Sequence, residues 1–166
     1  VHLERAPDLD PIRSRCAQHV DAVLQRYGDG QLLCVLDAGT GSGAIAVALA
    51  KERPQWSIFA CDFSLSALQV ARSNAVAHHV AIGLFGSDWL AAVRPGLVDV
   101  IVSNPPYIAE GDEHLPALRY EPQTALVAAQ NGLADIRKIA GQACSLLKPR
   151  GALYVEHGYD QAAAVR

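Results

Sequence analysis

The chain has 166 residues, 51% of them hydrophobic and 19% charged, with a formal net charge of −3; this suits one α/β domain around a single core and gives no electrostatic case for binding a phosphate backbone. No stretch approaches the ~20 apolar residues of a membrane span and no signal-like segment opens the chain, so a cytoplasmic location is expected and direct nucleic-acid or membrane binding is not. The four cysteines, Cys16, Cys34, Cys61 and Cys144, lack the spacing of a metal site, and they read as reduced core thiols, with no metal expected.

In chain order, "IRSRCAQHVDAVLQRYGDG" carries Ile12, Cys16, Val20, Val23, Leu24 and Tyr27 at helical spacing, with Gly28 and Gly30 as stop signals. Residues 1–30 are expected to be a helical lead-in. From Gln31 the pattern becomes repeated strand-then-helix units. "QLLCVLDAG" is a near-continuous apolar run, as in a strand buried on both faces. "GAIAVALAKERP" follows as a helix ended by Pro54, then "SIFACDFS" as a strand and "SLSALQVARSNAVAHH" as a helix. "AIGLFGSDW" is a weaker third strand and "LVDVIVSNPPY" a strong fourth. Residues 108–130, with Pro116 and Pro122, read as a long loop. "GLADIRKIAGQACSLLKPRG" reads as a helix running to Pro149 and Gly151, and "ALYVEHG" as a fifth strand. Alternating elements of this kind imply a doubly wound, mostly parallel sheet, in which ligands bind at the C-terminal strand ends.

The unusual clusters all fall at such ends. "DAGTGSGA" closes the first strand, where Gly39, Gly41 and Gly43 allow a tight turn and let backbone N–H groups approach a ligand. Gly39, Gly41 and Ala44 also satisfy the dinucleotide pattern, and Asp62 lies at a suitable distance to bind a ribose, so a nicotinamide enzyme stays open at this point. Asp62 or Ser64 equally suits an N-cap for the next helix. Asp88 and Trp89 end the third strand, where a carboxylate can accept from an adenine amino group and an indole can cover the ring. The fourth strand runs into Asn104, Pro105, Pro106 and Tyr107. A planar nitrogen with a delocalised lone pair must be positioned before it can attack. The Asn104 side-chain oxygen and the Pro105 carbonyl can each accept one of its N–H groups, the prolines stiffen the backbone, and Tyr107 supplies a planar wall.

Together, "VLDAGTGSGAIAVALAKERP", "ACDFSLSALQVARSNA", "GSDWL", "DVIVSNPPYI", "EPQTALVAAQNGLADIRKI" and "LYVEHGYDQAAAVR" resemble the catalytic domain of the bacterial peptide chain release factor glutamine methyltransferases. The resemblance implies the Rossmann-like fold of class I S-adenosylmethionine-dependent methyltransferases. Gly39, Thr40, Gly41, Ser42 and Gly43 would bind the methionine part of S-adenosylmethionine, Asp62 the ribose, and Trp89 the adenine region with Asp88 beside it. Asn104 would contact both cofactor and substrate, Pro105, Pro106 and Tyr107 would complete the substrate pocket, and Glu121 would support it. The protein substrate would be a class 1 peptide chain release factor, methylated on the glutamine of its Gly-Gly-Gln loop. The family's sheet ends in an antiparallel strand pair; residues 31–166 are therefore expected to be a C-terminally incomplete catalytic domain lacking that pair. The nearest rivals are methylation of a ribosomal protein glutamine, methylation of an exocyclic amino group in DNA or RNA, and a domain that binds the cofactor without turnover.

Overall fold

The computed structural model describes residues 11–106, 133–158 and 161–165. Its elements are α1 (Pro11–Arg26), β1 (Cys34–Ala38), α2 (Ala44–Glu52), β2 (Ser57–Asp62), α3 (Leu65–Ala77), β3 (Gly83–Gly86), β4 (Val98–Ser103), α4 (Ala134–Leu146), β5 (Leu147–Val155) and α5 (Ala162–Val165). The strands form one parallel sheet in the order β3-β2-β1-β4-β5. The chain winds outward from β1 to β3 and then crosses to β4, so the direction of winding reverses between β1 and β4. That reversal opens a crevice above their C-terminal ends.

Side-chain alternation along the strands divides the core into two layers. On one face Val35, Ile58, Ala60, Val100 and Val102 pack with Val20 and Val23 of α1 and with Ile45 and Leu49 of α2. On the other, Leu36, Cys61, Val98 and Ile101 pack with Ile139, Ala143 and Leu146 of α4. The helix nearest the N-terminus thus shares a core with the sheet. Among the described residues no helix is long and apolar enough to cross a membrane.

Two expectations need correction. The helix read as running to Pro149 ends at Leu146, because Leu147 turns to extended geometry (φ −71°, ψ 138°) and pairs with Val98. Pro149 lies within β5, where the register jumps: β4 advances from Val98 to Val100 while β5 advances from Leu147 to Ala152. A proline cannot donate to the ladder, and the bulge is a place where no donation is needed. Nor are all the cysteines core thiols. Cys61 is buried, Cys16 and Cys34 are half-buried, and Cys144 is exposed on α4; all four are free.

Candidate active site

The turn leaving β1 is tied down from below. Gly39 and Thr40 both donate their N–H groups to the Cys61 carbonyl of β2, at 2.9 and 3.0 Å. Asp37, fully buried in β1, accepts from the Thr40 hydroxyl at 2.6 Å and from the Ala46 N–H of α2 at 3.2 Å. One carboxylate oxygen therefore joins the strand, the turn and the first turn of the helix. Burial raises the Asp37 carboxyl from 3.8 to about 6, opposed by the Thr40 and Ala46 bonds and assisted by the nearby Asp62 charge. This residue was not singled out from the sequence. The available signal was an ionisable side chain inside an apolar run that otherwise reads as a strand buried on both faces.

Two of the glycines are required by close neighbours. A Cβ at Gly39, where φ is +71°, would meet Cζ3 of Trp89 at 2.7 Å, and one at Gly43 would meet the Ala71 Cβ at 3.0 Å. Gly43 thus lets α2 approach α3, and Gly39 lets the indole lie on the turn. Gly41 differs, because a Cβ there would meet nothing within 4 Å. It faces open space. Ser42 is exposed, and its carbonyl accepts from the Asn74 side chain at 2.8 Å.

Asp62 ends β2 with one carboxylate oxygen on the Gly41 N–H at 2.9 Å and the other on the Ser64 N–H at 2.8 Å. Ser64 is the N-cap of α3, its hydroxyl accepting from the Ala67 N–H at 3.2 Å. Asp62 accordingly stands beside the helix cap and braces the glycine turn. Beyond β3, Trp89 adopts a left-handed backbone (φ +52°) that turns its ring toward Gly39. Asp88 is exposed, one of its carboxylate oxygens lying 2.6 Å from the Lys138 ammonium.

Strand pairing brings the fourth cluster alongside the first. Ala38 is in register with Ser103, so Gly39 and Asn104 leave neighbouring strands side by side. The Ser103 hydroxyl donates to the Ala38 carbonyl at 2.7 Å, fastening the two strand ends. Asn104 is half-buried, and its amide nitrogen lies 4.0 Å from the Cys16 sulfur of α1. Pro105 is buried and Pro106 half-buried. Tyr107 and Glu121 lie outside the described residues. The site thus gathers the glycine turn, Asp62, Trp89 and Asn104 at the C-terminal ends of four adjacent strands. Among the described residues no group of three or more His, Cys, Asp or Glu side chains could hold a metal ion.

A family model described as "Methyltransferase small domain" matches residues 22–120. The chain is 52% identical over 142 residues to the release factor glutamine methyltransferase of Burkholderia pseudomallei, covering 80% of this chain and 50% of that protein. It is 40% identical over 163 residues to the protein of the same name from Coxiella burnetii, covering 98% of this chain and 59% of that one. The chain therefore spans little more than half the length of these relatives. Among solved structures, the ribosomal protein L11 methylase of Lactobacillus delbrueckii subsp. bulgaricus superposes with a TM-score of 0.64 at 24% identity, over 91% of this chain and 65% of that one. At that identity the likeness speaks for the fold.

Proposed function

The chain belongs to the methyltransferase small-domain family, and from that premise we propose that it methylates the side-chain nitrogen of a glutamine, using S-adenosylmethionine, in the Gly-Gly-Gln loop of class 1 peptide chain release factors. The observation that carries this reading is the 40–52% identity to proteins named release factor glutamine methyltransferase. The juxtaposition of the glycine turn and Asn104 on paired strands supports it.

The residues present fit the cofactor. Gly41 faces open space, the turn is braced from behind, and Asp62 offers a carboxylate of the kind that accepts from ribose hydroxyls. Gly39 through Gly43 would hold the methionine part, Asp62 the ribose and Trp89 the adenine region, with Asp88 at its edge. S-adenosylmethionine supplies a methyl group already activated on a sulfonium. What the protein must do is orient the acceptor.

An amide nitrogen is a poor nucleophile because its lone pair is shared with the carbonyl. Asn104 Oδ1 and the Pro105 carbonyl accept its two N–H groups, which fixes the plane of the amide and stabilises the positive charge that grows on those hydrogens. Pro105 and Pro106 bring no N–H that could compete for the carbonyls, and Tyr107, outside the described residues, would supply the planar wall that the resemblance implies. With labelled S-adenosylmethionine and a purified release factor, label is expected on the glutamine side chain, and a factor carrying glutamate there should take none. Label on a ribosomal protein or an oligonucleotide, and not on the release factor, would overturn the reading.

A further inference from the structure

Three polar side chains of α4 hold three consecutive residues of the turn after β3. Lys138 pairs with Asp88 at 2.6 Å, the Trp89 indole N–H donates to Asp135 Oδ1 at 3.1 Å, and the Leu90 N–H donates to Gln142 Oε1 at 2.9 Å. Positions 135, 138 and 142 are three and four residues apart, so a single stripe of the helix makes all three contacts. From the other side, the Cys61 thiol donates to the Trp89 carbonyl at 3.2 Å. Burial pushes that thiol up to about 12, which keeps it protonated as a donor. The turn is therefore fixed at both main chain and ring while Trp89 holds a left-handed backbone that is costly for a bulky residue.

We propose that α4 positions the aromatic wall of the cofactor site, and that Asp135 is the residue that seats the Trp89 ring against the glycine turn. The proposal rests on the S-adenosylmethionine reading above. Of the three contacts, Lys138 reaches an exposed carboxylate and Gln142 reaches the main chain; Asp135 alone acts on the ring. An indole N–H can only donate, so it needs an acceptor at that place. Asparagine keeps an acceptor oxygen there and alanine does not.

Trp89 is one of two tryptophans, so in a Trp56→Phe background its fluorescence reports this site alone. In the ligand-free protein, Asp135→Ala is expected to raise quenching of Trp89 by acrylamide, while Asp135→Asn stays near the parent. Calorimetric affinity for S-adenosylmethionine should weaken about 3- to 10-fold in the alanine variant, the equivalent of one hydrogen bond, with kcat at saturating cofactor little changed. Should the alanine variant fail to fold, Asp135→Leu also withdraws the acceptor and is read in the same way. Unchanged Trp89 accessibility on loss of the acceptor would overturn the seating, as would an asparagine variant indistinguishable from the alanine one. A parent protein that gives no heat with S-adenosylmethionine would instead overturn the reading of the site, and the quenching comparison would still decide what seats Trp89.

Discussion

The glycine turn and the Asn104 junction stand side by side on paired strands, yet they are held in opposite ways. In the turn the described polar groups are largely committed: Gly39, Thr40 and Gly41 donate to Cys61 and Asp62, and the Thr40 hydroxyl to Asp37. At the junction Ser103 is fastened to Ala38, but among the described residues Asn104 makes one long contact, to a sulfur. A weak partner leaves the amide its hydrogen-bonding capacity. One region is held in shape by its own bonds; at the other, on the function proposed above, Asn104 offers its oxygen to the substrate amide.

The largest expected effect tests that role. Asn104→Ala should lower kcat by on the order of 10²–10³-fold, by analogy with loss of one transition-state contact, while calorimetric cofactor affinity falls only modestly. Near-normal turnover would break the contrast at its acceptor side. Next comes the bracing of the turn. Because the Asp37 carboxyl sits at about 6 in the folded chain against an ordinary 3.8, the folded state retains a proton between those pH values that the unfolded state has released. Stability from this group is full below about pH 4 and is lost as pH rises through about 6, roughly 3 kcal/mol across the window. Urea unfolding followed from pH 4 to 7 should show that slope, and Asp37→Asn should flatten it. The smallest effect belongs to the helix cap beside Asp62: Ser64→Ala should cost about 1 kcal/mol in the same assay, with turnover little affected at temperatures where the protein stays folded.

The sequence carried most of the strand ends because period-two and near-continuous apolar runs are local, and glycine and proline punctuate them. The parallel sheet follows from the alternation of units, whereas the strand order β3-β2-β1-β4-β5 depends on pairings between distant segments that only the structure displays.

 The glycine turn was legible for the same reason as the strand ends: three glycines in five residues need few distant facts to interpret. Other features depended on partners far along the chain. Asp37 gains its meaning from Thr40 and Ala46 inside a dry core, and the Asp88 carboxylate is turned to Lys138, 50 residues away. The end of α4 was misplaced because Pro149 and Gly151 are stop signals for a helix and are equally at home in a bulge, which only the pairing with β4 distinguishes.

The bond from the Ser103 hydroxyl to the Ala38 carbonyl joins residues 65 positions apart. Parallel pairing over such a separation must meet the entropy of closing a long loop before any of its contacts form, so the β1–β4 ladder belongs to the slow, non-local part of folding. Until that ladder closes, the two halves of the site have no common location. A ligand that spans them binds the folded chain alone and stabilises it by RT ln(1 + [L]/Kd), so its affinity doubles as a gauge of how completely the centre of the sheet has formed.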